Sequence, residues 1–133
     1  MSVTAFVMAL MAATPMPAET ALGPVHTGDG KDLAAQTLAA GREDEALATL
    51  RQAADANPHD AAVLINLGIA YAHKGEDAKA RTAFEAALAC HEVVELDTAD
   101  GSATDSRRLA RKAIKMLERG EFRARAGQLT YRD

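Results

Sequence analysis

The sequence predicts an all-α fold: an antiparallel array of helix hairpins, made of two repeats and a C-terminal capping helix. Apolar residues recur every three or four positions over residues 61–89, which is the period of a helix with one buried face. The stretch before it carries the same pattern at a constant offset. Aromatic residues make up only 4% of the 133 residues, and Trp is absent. The core must therefore consist mainly of alanine, leucine, isoleucine and methionine, which suits closely packed helices.

Residues 61–89 contain two helical patterns that are separated by the break Lys74-Gly75-Glu76. Gly75 suits this turn because glycine adopts positive φ without strain. Small residues allow the two helix backbones to approach closely, and large side chains fill the remaining space. The apolar positions are Leu64, Leu67, Gly68 and Tyr71 in the first helix, and Ala80, Phe84, Ala87 and Leu88 in the second.

The same kinds of residue occur 34 positions earlier in the chain. A period of 34 residues with paired helices is typical of the tetratricopeptide repeat, and roughly residues 28–93 resemble that family. The two copies span about residues 28–59 and 61–93, within a helical domain at 29–127. The matching pairs are Leu33 with Leu67, Ala34 with Gly68, Gly41 with Gly75, Ala46 with Ala80, Leu50 with Phe84, and Ala53 with Ala87. The departures from the family pattern are Gly30, Thr37 and Glu92.

Residues 1–18 are interpreted as an apolar leader. Val3–Ala13 is too short to span a bilayer, which takes about 20 residues, but it fits the hydrophobic region of a secretory signal with cleavage before Glu19. The sequence therefore predicts a periplasmic or secreted protein, which mass spectrometry of the mature N-terminus would test. The alternatives are an uncleaved, disordered or loosely docked leader and a cytoplasmic location. Residues 19–28 are rich in glycine and helix breakers and are interpreted as a linker.

The first copy is expected to contain the helices Lys31–Ala40 and Arg42–Ala56, separated by Gly41. The second of these helices has an acidic first turn, which favours the positive end of its dipole. Asn57-Pro58 ends it, and Asp60 is the expected N-cap of the helix that follows.

The second copy is followed by a polar break and a basic amphipathic helix. We expect the last helix of the second copy to continue to about Leu96, and Asp97–Asp105 to form the break. Ser106–Arg119 is interpreted as a capping helix, because two repeats alone bury little apolar surface. Residues 128–133 are expected to form a frayed tail. The apolar stripe of the capping helix is Leu109, Ala113, Met116 and Leu117.

The sequence contains no recognised catalytic or metal-binding pattern. The four histidines lack the spacing of a zinc site, and the acidic stretch that begins at Asp97 lacks the ligands of a calcium loop. Cys90, the single cysteine, has no assigned basic neighbour and is expected to be a buried side chain. We therefore predict that the chain is not an enzyme and has no metal or cofactor site.

The resemblance implies a protein-interaction function. In the family, successive first helices line a concave groove that holds an extended peptide or a partner helix. Asn66 falls where members often have an Asn that binds a peptide backbone or its terminal carboxylate, and Lys31 falls where carboxylate-binding members have a Lys. The groove could also be filled from within, by Val3–Leu10 or by the C-terminal tail. The groove positions carried over to this chain, which we expect to be exposed, are Lys31, Ala35, Leu38, Ala62, Ile65, Asn66, Ile69 and His73.

The charge distribution suggests a second surface. From Ser106 onward the chain has nine Lys and Arg against three Asp and Glu, whereas the preceding residues have six against sixteen. The basic residues of the capping helix could bind nucleic acid, anionic lipid or an acidic protein, or they could complement the acidic body of the same chain. The lack of interleaved aromatic residues disfavours nucleic acid. The residues of this predicted basic face are Arg108, Arg111, Lys112, Lys115 and Arg119.

The sequence thus predicts a scaffold or adaptor that binds a protein or peptide partner in the groove of its repeats. Binding of an anionic ligand by the capping helix is one alternative. A purely structural accessory subunit of a larger assembly is the other.

Overall fold

The computed structural model describes residues 23–27, 34–98 and 101–122. The predicted array of helix hairpins is confirmed, since the helices Ala35–Ala39 and Glu43–Ala56 form one hairpin, the helices Ala61–His73 and Asp77–Ala89 form the second, and the helix Ser106–Glu118 packs on the second hairpin. The predicted leader at residues 1–18, the tail at 128–133 and Lys31 lie outside the described residues. The elements in chain order are β1 (His26–Thr27), α1 (Ala35–Ala39), α2 (Glu43–Ala56), α3 (Ala61–His73), α4 (Asp77–Ala89), β2 (Glu95–Asp97), β3 (Ala103–Asp105) and α5 (Ser106–Glu118).

The first helix was expected to begin at Lys31, but α1 begins at Ala35, because Ala34 has a left-handed backbone conformation with a φ of 60°.

The turns within the two hairpins and the start of α3 follow the turn and cap residues of the sequence. Gly41 and Gly75 are equivalent positions of the two repeats; they have φ values of 76° and 78° and lie in the turns of the two hairpins. Asp60 caps α3, because its carboxylate accepts hydrogen bonds from the N–H groups of Ala62 at 3.1 Å and Val63 at 3.3 Å. The bounds of α5 agree with the predicted ones to within one residue.

α3 is the central element of the fold. Eleven of its 13 residues are buried, so the helix is enclosed on nearly all sides. Val63 and Leu67 belong to a core cluster that contains residues of α1 and α2. Ile65 and Ile69 belong to a second cluster that contains residues of α4 and α5. One side of α3 therefore joins the second repeat to the first, and the other side joins α3 to α4 and to the capping helix α5.

Phe84 of α4 packs directly on the backbone of Gly68 in α3. Phe84 is fully buried, and an ideal Cβ atom on Gly68 would lie only 2.4 Å from its ring atom Cε1 and 2.6 Å from Cδ1. Such distances are far shorter than ordinary van der Waals contacts between carbon atoms. The absence of a side chain at this position is what allows the aromatic ring to fill the space between the two helices.

The segment after α4 is extended rather than helical. We expected this helix to continue to about Leu96, but that expectation is wrong, because α4 ends at Ala89 and residues 95–97 form β2. β2 pairs antiparallel with β1 and with β3, which gives the strand order β1-β2-β3. β-Branched residues precede β2, and an Asp-Gly dipeptide, a frequent hairpin signal, lies between β2 and β3. The predicted polar break is thus part of a β-hairpin whose Leu96 is buried in the core.

Cys90 lies directly after α4 and is buried, as the sequence predicts. Its thiol donates a hydrogen bond to the carbonyl oxygen of Ala86, with a distance of 3.3 Å between Sγ and the oxygen. Burial raises the pKa of the thiol, the negative charge of Asp60 acts in the same direction, and the positive charge of Arg107 opposes them. The thiolate, which is the reactive form, is therefore scarce at neutral pH.

We expect Cys90 to react with Ellman's reagent at neutral pH at least roughly tenfold more slowly in the native chain than in the unfolded chain, because both its exposure and its thiolate fraction are reduced. The measurement is the release of thionitrobenzoate with and without denaturant. Equal rates in the two states would contradict the buried position of this side chain.

Candidate functional site

The groove residues predicted from the sequence are buried rather than exposed. Six of the eight are no more than 3% exposed, and His73 is half-buried. The expectation that these residues form an open surface is therefore wrong, while Lys31 lies outside the described residues. We call the positions on one side of α3 the α3 face, which consists of Ala62, Ile65, Asn66 and Ile69. The two remaining buried positions, in α1, are Ala35 and Leu38.

The α3 face is covered by other parts of the same chain. The core cluster that contains Ile65 and Ile69 also contains Leu109 and Met116 of α5. It further contains Val25, whose side chain is fully buried. Helix α5 and the segment Gly23–Thr27 therefore occupy the side of α3 on which the family resemblance placed a peptide. Residues 23–27 are thus part of the packed structure, although they lie within the stretch predicted to be a linker.

Asn66 binds the backbone of this N-terminal segment through both atoms of its amide group. Nδ2 donates a hydrogen bond to the carbonyl oxygen of Val25 at 2.9 Å, and Oδ1 accepts one from the N–H group of Val25, also at 2.9 Å. Asn66 is fully buried. Its amide presents one donor and one acceptor to Val25, as a neighbouring β-strand would. The pair of bonds therefore recognises extended main chain and not a particular side chain.

The same segment is also held by the small sheet. β1 pairs antiparallel with β2, with His26 opposite Asp97 and Thr27 opposite Leu96. The backbone of the segment thus makes hydrogen bonds to Asn66 at Val25 and pairs with β2 over the next two residues. Because buried backbone groups need partners, the two sets of bonds allow extended chain to lie in the interior beside α3.

His73 lies at the C-terminal end of α3 and contacts an aromatic side chain. Its ring centroid is 6.1 Å from that of Phe122, with an interplanar angle of 56°. Phe122 also stacks on Phe84, with 6.3 Å between the ring centroids. His73 therefore packs against the residues that follow α5, which explains why it is not an open groove position.

The predicted basic residues of α5 do form a single exposed surface. We call it the α5 basic face; all five of its side chains are exposed. Together with Met116 and Glu121 they line a surface depression of about 440 Å³. Arg119 pairs with Glu121 at 3.5 Å, but within the described ranges no carboxylate lies at ion-pair distance from the other four cations. The residues of the α5 basic face are Arg108, Arg111, Lys112, Lys115 and Arg119.

The contact of α5 with the acidic body involves an acid of α5 and not its basic face. Glu118 accepts a hydrogen bond from Arg81 of α4 at 3.1 Å, and Arg81 also bonds Glu85 at 2.9 Å. Both carboxylates raise the pKa of the Arg81 guanidinium above its ordinary value. The sequence left open the alternative that the basic residues of α5 complement the acidic body of the same chain. In the part of the chain that the structure describes, the α5 basic face does not do so.

Residues 23–27, 34–98 and 101–122 contain no group of three or more His, Cys, Asp or Glu side chains that could hold a metal ion. None of the helices described here has the length and apolar character needed to cross a membrane.

The role of residues 23–27 was not predicted, although the sequence contains one signal of it. Asn66 lies within an otherwise apolar helix, and a buried amide requires hydrogen-bond partners. Nothing in residues 19–28 indicates that Val25 supplies them, since the two residues are 41 positions apart.

Residues 37–93 match the family model described as the tetratricopeptide repeat. This range covers both helix hairpins from within α1 to the residues after α4. Comparison of the chain with curated proteins and with solved structures gave no match.

Proposed function

We propose that this chain, which belongs to the tetratricopeptide-repeat family through residues 37–93, binds an extended peptide segment of a partner protein on its α3 face. Repeats of this family generally mediate protein–protein interaction. The observation that supports the finer proposal is the pair of 2.9 Å hydrogen bonds between Asn66 and the backbone of Val25. In this proposal the N-terminal segment of the chain occupies the position that a partner segment takes.

Recognition on the α3 face combines backbone hydrogen bonds with one apolar contact. The amide of Asn66 and the edge of β2 would bond the partner's main chain, as in recognition by strand addition. The space filled by the side chain of Val25 is apolar and enclosed. It therefore favours a small branched side chain in the partner and disfavours a charged one.

A partner segment must compete with the chain's own segment. A tethered segment has an effective concentration that reaches the millimolar range for short flexible links. The intact chain should therefore bind a free peptide weakly unless its own segment is displaced. Ile65 and Ile69 are core residues, and glutamates there would disrupt the fold rather than only the site. A test of the site must therefore leave both residues unchanged.

The test uses the full chain with Val25→Asp, which places a carboxylate in an apolar space and so favours release of the segment. The probe is a fluorescent synthetic peptide of residues 20–30, and the measurement is its anisotropy. We expect the variant to bind this peptide at least about tenfold more tightly than the unchanged chain does, because the competing segment is removed. Val93→Asp is the matched control, since Val93 is 49% exposed.

Two further arms separate the proposed contact from nonspecific binding. Adding Asn66→Ala to the Val25→Asp chain should remove peptide binding while circular dichroism shows retained helices. A peptide with N-methylvaline at position 25 cannot donate to Oδ1 and should bind roughly tenfold more weakly. The proposal would be contradicted if peptide binding were unaffected by Asn66→Ala and by the N-methylvaline. It would also be contradicted if the Val25→Asp chain did not bind the peptide.

A further inference from the structure

A second surface remains without a partner in the described residues, namely the α5 basic face. Its first and last cations are eleven positions apart, which corresponds to about 16 Å along the helix axis. The opposite side of α5 is already used by the core, because Leu109, Ala113 and Leu117 are buried. The helix therefore presents only its charged side to a ligand.

The arrangement of these cations is unfavourable for the isolated helix. Neighbours three or four residues apart carry the same charge along the whole face, and like charges at this spacing destabilise a helix. The cations lie on one face from the first turn of α5 to its C-cap, and among the residues that the structure describes only Arg119 of this face forms an ion pair with an acid, Glu121. An anionic partner would relieve this repulsion.

The shape and the lining of the face indicate what kind of anion fits. The cations surround a depression that also includes Met116, which is nearly buried at 4% exposure. A planar bilayer cannot enter a depression, and the described lining has no aromatic or exposed aliphatic side chain to insert into one. No aromatic residue of the lining is present to stack on nucleic-acid bases.

We propose that the α5 basic face binds an acidic helical segment of a partner protein, with carboxylates at every third or fourth position and an apolar side chain against Met116. Carboxylates at that spacing match the repeat of the cations along α5. The proposal is separate from peptide binding at the α3 face, because it involves a different surface and a different chemistry.

The test uses the full chain and a synthetic helical peptide with glutamates at that spacing around a leucine. Its glutamine counterpart is the uncharged control probe. We expect the charged peptide to bind, the glutamine peptide to bind at least about tenfold more weakly, and affinity for the charged peptide to fall as salt is raised. Binding is measured by fluorescence anisotropy.

Matched charge variants locate the binding surface. Arg111→Gln with Lys115→Gln should weaken binding of the charged peptide about tenfold. Arg51→Gln with Lys79→Gln removes the same net charge from exposed positions of α2 and α4 and should change binding less than about twofold. Both variants alter exposed side chains, so that circular dichroism should show unchanged folding.

Three outcomes would overturn the proposal. The first is equal weakening by the two charge variants, which would indicate only nonspecific attraction. The second is tighter binding of phosphatidylglycerol vesicles or of oligothymidine than of the acidic peptide at physiological salt. The third is concentration-dependent self-association in sedimentation that the Arg111→Gln/Lys115→Gln variant loses, because a second copy of the chain would then be the occupant.

Discussion

Replacement of Gly68 by alanine is expected to destabilise the protein by about 1–3 kcal/mol, and replacement by leucine by more. In an ordinary helix interior the glycine-to-alanine change stabilises by roughly 1 kcal/mol. Here the sign is reversed, because the new Cβ atom would lie 2.4 Å from Cε1 of Phe84. That ring is fully buried, so it cannot move away without disturbing its neighbours. Urea unfolding followed by circular dichroism measures the effect.

A double-mutant cycle distinguishes this clash from a general defect of the variant. Phe84→Leu alone should destabilise by leaving space in the core. Combined with Gly68→Ala it should cost less than the sum of the two single changes, because the shorter side chain leaves room for the new methyl group. A Gly68→Ala chain as stable as the original one would refute the proposed contact.

Replacement of Asn66 by alanine is expected to destabilise by about 2–4 kcal/mol and to release the N-terminal segment. The change removes both 2.9 Å hydrogen bonds to Val25, and each backbone group left buried without a partner costs about 1–3 kcal/mol. Release of the segment returns these groups to water but exposes the side chain of Val25. Hydrogen exchange should therefore show lost protection of the Val25 amide, and urea unfolding gives the change in stability.

The matched control is Thr82→Ala, which removes an exposed side-chain hydrogen bond to the carbonyl oxygen of Ala78. Surface changes of this kind usually alter stability by less than about 0.5 kcal/mol. Full protection of the Val25 amide in the Asn66→Ala chain would show that other contacts hold the segment.

Asn66→Asp should make the stability depend on pH in a defined direction. A protonated carboxyl group has one donor and one acceptor and can replace the amide toward Val25, whereas a carboxylate can only accept. Burial would raise the pKa of this carboxyl group in the folded state. The folded chain then binds more protons than the unfolded one between the two pKa values, so stability falls as pH rises through that range. Stability that increases with pH in this variant would contradict the bonding described.

The repeats could be predicted from local sequence because each hairpin depends on residues close together in the chain. The cap Asp60 and the turn residues Gly41 and Gly75 act within a few positions of themselves. The spacing of apolar residues then determines which side of each helix is buried. The end of α4 was predicted wrongly, because Leu96 is apolar at a spacing that suits a helix as well as a strand.

The candidate site could be predicted only in part. The family resemblance placed Asn66 where a peptide backbone is bound, and Asn66 does bind a backbone. The assumption that the surrounding α3 face is open was wrong, because the covering residues are distant in sequence. Val25 is 41 positions away from Asn66, and no periodicity links a short extended segment to a particular helix face. The α5 basic face was predicted residue by residue, since charge on a regular helix follows directly from spacing.

The sequence by itself determined the two hairpins, the cap that begins α3, and the charged side of the last helix. These features depend on the helical period and on bonds between near neighbours. Only the tertiary structure decided that Gly23–Thr27 covers the α3 face and that β1, β2 and β3 form a sheet. The same holds for the finding that the α5 basic face does not pair with acidic residues of the described α1–α4 part of the chain. Each of these results from contacts between segments far apart in the chain, whose partners are selected by packing and by the need of buried backbone groups for hydrogen bonds.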